Sequence, residues 1–227
     1  MTPVKVLARI LLALSALLAL TACNFLPGTQ RPWYCDPTDT AVNDGHGDAF
    51  LSFYTQPKGP LSASDCKALF QQLPEAKRFA MQFPTVADAK AAGWIEAAVW
   101  SPGQGIHFVD PSRQTGPFEP TRPNWLMYDG TGPTAKLTGM MFLVNSGMNP
   151  PAGFPGANDQ WHQHHELCTD STASPFIIGE HLTDAECAAI GGVNVMYMNL
   201  WMVHVWLPTY GAGQRSDVFN MVHQSVP

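Results

Sequence analysis

From Gly93 onward the chain is a succession of short apolar runs cut apart by proline and glycine. This pattern constrains the fold more than any other feature. Trp94 to Trp100, Gly105 to Val109, Trp125 to Tyr128, Leu137 to Val144, Gln160 to Leu167 and Met196 to Leu207 each read as a strand. The breaks between them, such as Ser101-Pro102-Gly103 and Asp129-Gly130, are turn sequences. With 20 Pro, 19 Gly and only 13% charged residues, well under the usual ~25%, the composition suits a turn-rich β protein rather than a helical bundle. The expectation for 93–227 is an antiparallel β-sandwich or barrel.

A shorter helical part precedes it, over 32–92. Helices are expected from Ala63 to about Leu73, from Glu75 to about Gln82 and from Val86 to Ala92. The third has a start signal in Thr85 with Asp88 three residues on, and a stop signal in Gly93. One more short helix, Asp184 to Ile190, interrupts the strands. The chain therefore reads as mainly β with a short helical N-terminal part.

The N-terminus is an address rather than part of the fold. Lys5 and Arg9 lead into an apolar run from Ile10 to Leu20, which is too short for a membrane span of about 20 residues. Residues 1–22 read as a secretory signal peptide. The junction Leu20-Thr21-Ala22-Cys23 resembles the lipobox of bacterial lipoproteins. That resemblance implies that Cys23 becomes the first residue and carries lipid, palmitate-like acyl chains, on its sulfur and amine. It also implies a protein on the extracytoplasmic side of the bacterial cell envelope, with the membrane as partner. Residues 24–48 are rich in Pro, Gly, Asp and Asn, and 23–31 then read as a lipidated tether. Asn43-Asp44-Gly45-His46-Gly47-Asp48 lacks the spacing of a calcium loop and reads as a solvated turn.

Four cysteines remain: Cys35, Cys66, Cys168 and Cys187. An even number in an oxidising compartment points to two disulfides. An internal echo selects a pairing. Leu61-Ser62-Ala63-Ser64-Asp65-Cys66 resembles Leu182-Thr183-Asp184-Ala185-Glu186-Cys187, each a helix start with the cysteine one turn in. Each is preceded by one cysteine in a less regular stretch, which predicts Cys35–Cys66 and Cys168–Cys187.

The net charge is −6, and removal of the leader with Lys5 and Arg9 makes the chain more acidic still. Without a basic run, this excludes nucleic acid as a partner and gives no polybasic aid to lipid adhesion.

The densest polar cluster is Trp161-His162-Gln163-His164-His165-Glu166-Leu167-Cys168. On a strand, His162, His164 and Glu166 share one face while Trp161, His165 and Leu167 take the other. Two imidazoles at i and i+2 can grip one transition metal ion, zinc, copper or iron, but need a third ligand. His204, within Leu200-Trp201-Met202-Val203-His204-Val205-Trp206, and His107, within Gly105-Ile106-His107-Phe108-Val109, are the candidates. Each is a lone histidine on an apolar strand, and each alone suits a hydrogen-bonded core residue as well. His46, His165, His181 and His223 read as peripheral. Met196, Met198 and Met202 share a strand face with His204 and offer soft sulfur donors for Cu(I), but they are interleaved with Leu, Val and Trp and read as core filling. No nucleophile elbow surrounds Ser146, and no phosphate-binding glycine loop is present. Arg113 and Arg122 read as solvated loop charges.

The His-x-His followed by Glu resembles the first metal motif of cupins, although Glu166 follows His164 more closely than in cupins. The second cupin motif has its Pro-x-Gly turn before the histidine, whereas His204 precedes Pro208 and Gly211. The stretch from about Thr85 to Phe219 also resembles secreted bacterial proteins carrying Trp-His-x-His and His-Val-Trp, which imply no activity. The leading expectation is a lipid-anchored protein with a mononuclear metal site at His162, His164, His204 and His107. Glu166 is its candidate acid or base, and the surrounding aromatics supply an apolar pocket for a small-molecule ligand. The alternatives are a copper- or zinc-binding envelope protein without turnover, and a structural or partner-binding lipoprotein whose histidines are core residues.

Overall fold

The computed structural model describes Cys35, residues 59–164, 167–195 and 199–207, and Phe219. The signal peptide, the lipobox with Cys23, the tether and the Asn43–Asp48 turn lie outside the described residues.

Helix α1 (Ala63–Ala80) begins where Ser62 accepts a hydrogen bond from the Asp65 amide. It runs as one helix through Pro74, where two helices were expected. Proline costs about 3 kcal/mol in a helix interior. Here Cys66, Leu69, Leu73, Ala76 and Ala80 form one buried stripe that continues across Pro74, and that packing keeps both halves collinear. Helix α2 (Val86–Ala91) has the full capping box between Thr85 and Asp88. Helix α3 (Asp184–Ala189) has the same device in Thr183 and Glu186. The predicted disulfides are both present, Cys35–Cys66 and Cys168–Cys187, closing loops with sequence separations of 31 and 19. Loops of that size stabilise a fold by about 3–4 kcal/mol each. Such bonds belong to an oxidising, extracytoplasmic environment. Among the described residues no helix is long and apolar enough to cross a membrane.

Eight strands follow α2: β1 (Ile95–Ser101), β2 (Gly105–Val109), β3 (Trp125–Tyr128), β4 (Leu137–Asn145), β5 (Leu167–Thr169), β6 (Ile177–Glu180), β7 (Val193–Val195) and β8 (Leu200–Trp206). They form one sheet in the order β7-β5-β6-β1-β2-β3-β4-β8. The fold is mainly β with a short helical part, as expected. Its architecture differs from the antiparallel sandwich or barrel in two ways. There is a single curled sheet, a half-barrel, rather than two packed sheets or a closed ring. The sheet is also mixed, because β1 meets β6 in parallel at Ala98–Ile177, while the other pairings are antiparallel.

Connectivity explains the curl. β5 and β8 stand six strand steps apart in the sheet order, which in a flat sheet is about 29 Å. Yet His162 exchanges both backbone hydrogen bonds with Met202 on β8, and Leu167 opens β5. Five residue steps reach at most about 18 Å, so the two ends of the sheet must bend toward each other. The single long strand expected from Gln160 to Leu167 is therefore replaced by a β-bridge to β8 at one end and the start of β5 at the other.

Side-chain alternation gives the central strands two different buried faces. Ile106, Phe108, Leu126, Tyr128, Met140, Phe142, Val203 and Val205 face outward into the larger core, where they join Leu69, Leu73, Val86 and other helix residues. Trp125, Met127, Met141, Leu143, Met202 and Trp206 face the inside of the curl. Gly139 lies on this inner face. A Cβ there would collide with the Met127 methyl and press on the Trp206 ring and the Val205 carbonyl, so glycine is what allows those two side chains to fill the base of the curl.

Candidate functional site

The structure brings His107, His162, His164 and His204 together on the inner face of the curl. His107 is in mid-β2 and His204 in β8, with three strand steps between them, about 14 Å in a flat sheet. Their ring centroids are nonetheless 5.8 Å apart, because both side chains point inward. His204 lies 5.3 Å from His162, which lies 5.4 Å from His164. The alternation expected over 161–167 holds at Trp161, His162 and His164, with Trp161 in the outer core and the two histidines toward His204. It fails at Leu167, which lines the inner pocket instead of sharing the Trp161 face. All four imidazoles are buried, with exposures of 4%, 0%, 7% and 1% in chain order.

Two details fix their chemistry. The His162 Nδ1 lies 3.0 Å from the Gln160 carbonyl. A carbonyl oxygen can only accept, so Nδ1 carries the proton. The His107 Nδ1 is buried and has no hydrogen-bond partner among the described residues. Burial pushes the His107 pKa down to about 4, against an opposing attraction from the Glu180 carboxylate, so His107 is neutral at physiological pH.

Beside the histidines lies a cavity of about 220 Å³. Its walls are apolar: Ala98, Trp125, Met141, Leu143, Leu167, Phe176, Ile177, Leu200 and Met202. Its polar groups are His107, His164, His204, Gln104 and Glu180, with Gln114 and Thr115 from the loop after β2. The inner residues are buried, whereas Gln114 and Thr115 are exposed and Phe176, Leu200 and Glu180 half-buried. That distribution describes a pocket with its rim on the 110–124 loop, β6 and the start of β8. Apolar walls with a few convergent polar groups are the usual form of a small-molecule site.

As placed, the histidines do not make a metal-holding group. Among the described residues no set of three or more His, Cys, Asp or Glu side chains is positioned to hold a metal ion. Glu166, His165, Met196, Met198, His46 and His223 lie outside the described residues. Of the inner-face methionines, Met202 and Met141 line the pocket. His181 follows β6 in a left-handed backbone conformation (φ 58) and does not line the pocket. Arg113 pairs with Glu119 at 3.0 Å and donates to the Arg122 carbonyl, and Arg122 sits over the Phe79 ring at 5.7 Å. Both arginines therefore hold the 110–124 loop together. Ser146 donates to the Asn149 carbonyl in a turn.

Sequence reasoning passed over Glu180, Gln104, Trp125 and Phe176 as site residues. The run Phe176-Ile177-Ile178-Gly179-Glu180, an apolar stretch ending in an acid, was the available signal for β6, but nothing in it marks Glu180 as a pocket residue.

A second perturbed group lies behind the sheet. Asp159 is buried and accepts hydrogen bonds from the Phe154 amide and the Trp161 indole N–H, both at 2.7 Å. Burial raises its pKa to about 7, more than those hydrogen bonds lower it. Gly153 (φ +67) is required beside it, because a Cβ would overlap the same carboxylate oxygen.

No protein-family model matches the chain, and neither a curated protein nor a solved structure matches it significantly.

Proposed function

We propose that this is a lipid-anchored protein on the extracytoplasmic side of the bacterial envelope that binds a small molecule in the histidine-lined pocket. The cavity inside the curl carries this reading: it is apolar on most sides, and three buried imidazoles and a carboxylate converge on it. Burying imidazoles in apolar surroundings costs free energy unless something bonds to them, and His107 has a buried nitrogen that the described residues leave without a hydrogen bond. The lipobox-like Leu20–Cys23 and the two disulfides support the location.

The test uses the full-length protein purified in mild detergent without a His-tag. Small apolar compounds are screened by ligand-detected NMR against the native chain and against Leu143→Trp, which fills the cavity. Compounds that bind the native protein and not the variant support the reading. Compounds that bind both equally, or none at all, overturn it. Mass spectrometry of the mature N-terminus should find acyl chains on Cys23, and Cys23→Ser should abolish membrane attachment.

Ring spacing favours a second reading, a transition metal ion (zinc, copper or iron) on the histidines. Two imidazoles on one tetrahedral ion at ~2.0–2.1 Å place their centroids about 5.2 Å apart, and the His162–His204 and His162–His164 spacings are 5.3 and 5.4 Å. Here the ion would need a third donor, with Glu166 the acid or base of a catalytic version. Elemental analysis decides: about one equivalent in the native chain, lost in His162→Ala/His164→Ala, supports it. No metal after challenge with all three ions removes it.

A further inference from the structure

Resting on the small-molecule reading, we infer that the pocket selects by charge: it takes a compact apolar molecule with a positively charged head, such as a protonated amine, and rejects anions. The lining of the cavity carries this inference. Among its described residues there is no Lys or Arg, and the one carboxylate is Glu180. Glu180 has no cationic partner among the described residues, where the ion pairs are Lys90–Glu96 and Arg113–Glu119. Its carboxylate accepts a long hydrogen bond, 3.4 Å, from the Ser101 hydroxyl. A half-buried carboxylate without a counter-ion favours a cation beside it.

The other polar groups accept an amine as readily as a hydroxyl: Gln104, Gln114 and Thr115 are uncharged donors and acceptors, and His107 has a buried nitrogen with no hydrogen-bond partner among the described residues. Trp125 and Phe176, edge to face at 6.2 Å, give the cavity an aromatic wall, which attracts cations through the negative ring faces. The one indole N–H in that wall, which would suit an anion, already donates to the Gln114 carbonyl at 3.0 Å. An anion entering would lose its hydration and meet Glu180 without a compensating positive charge.

Three probes of nearly one shape separate the possibilities: benzylamine (protonated at neutral pH), benzyl alcohol and benzoate. Their affinities for the full-length protein are measured by ligand-detected NMR at pH 7.
The amine should bind at least about tenfold tighter than benzoate, with the alcohol between them. Glu180→Gln, which keeps the size and the Ser101 contact, should remove most of the preference for amine over alcohol. Benzoate binding as tightly as benzylamine overturns the inference while leaving the small-molecule reading intact. So does an amine preference that survives in Glu180→Gln. Failure of all three probes to bind overturns the inference. If the wider screen described above also finds no ligand, the small-molecule reading falls with it.

Discussion

The two faces of the sheet are built from the same strands by alternate residues, and they are organised on opposite principles. On the outer face, Phe118, Phe142, Phe154 and Trp161 pack edge to face with centroids 5.0–5.5 Å apart, and the helices close over neighbouring residues. Asp159, a buried polar group in that region, accepts from the Phe154 amide and the Trp161 indole. On the inner face the aromatics are fewer, histidines take positions that Leu or Val would fill, and a cavity remains. The outer face shows what these strands do when stability alone is served. The inner face departs from that pattern at His107 and His204, where buried imidazoles border the cavity.

Truncation on the packed side should do the greatest damage. Phe142→Ala should cost about 3–5 kcal/mol in denaturant unfolding, because its neighbours are rings with no room to collapse. A loss under about 1 kcal/mol would mean that the outer face is not the stabilising one.

The two faces should also respond to pH with opposite signs. The Asp159 pKa rises on folding from an ordinary 3.8 to about 7. Its contribution to stability is therefore full below pH 3.8 and falls as pH rises to 7, by as much as about 4 kcal/mol in total. Asp159→Asn keeps a hydrogen-bond acceptor and removes that loss, so the variant should be the more stable protein at pH 8. Equal thermal midpoints for variant and native protein at pH 8 would show that Asp159 does not titrate in this way.

The His107 pKa falls on folding from 6.5 to about 4. Its contribution is present above pH 6.5 and is lost as pH falls toward 4, by about 3 kcal/mol. Between pH 4 and 6.5 the two slopes oppose each other, and the native profile should be nearly flat. His107→Gln should expose the falling Asp159 slope, and Asp159→Asn the rising His107 slope. Profiles unchanged in both variants would sink the assignment.

The smallest effect belongs to the pocket wall. Met202 borders a cavity, so Met202→Ala loses contacts on one side only and should cost about 2 kcal/mol, the low end for such a truncation. It should weaken ligand binding more than it weakens the fold. A loss as large as that of Phe142→Ala would erase the distinction between the faces.

How far the sequence reveals this arrangement depends on the range of the forces involved. β2 and β3 are legible to the residue, because Gly105, Asp110, Asn124 and Asp129 mark the limits of runs that are apolar apart from His107. The helix starts are legible in Ser62, Thr85 and Thr183, because a cap is a contact across three residues. The cysteine pairing follows from two similar local contexts. The continuity of α1 through Pro74 is not legible, since it depends on a stripe packed against a distant sheet. The parallel β1–β6 contact is hidden for the same reason. It joins residues 79 apart through the single pair Ala98–Ile177. At the site, the gathering of His107, His162, His164 and His204 can be anticipated from strand alternation. Glu180 cannot, because its strand is four residues long and only the curl carries it to the pocket.

The step from His162 to Leu167 has a consequence for how this fold can change. The chain there ties one end of the sheet to the other, so its length works like the hole chosen on a belt. Adding one residue between the two anchor points allows the girth to grow by up to about 3 Å, and removing one draws it in. The volume of the pocket can thus be retuned by a single insertion or deletion that replaces none of the residues lining it, a short evolutionary path from one cavity size to another.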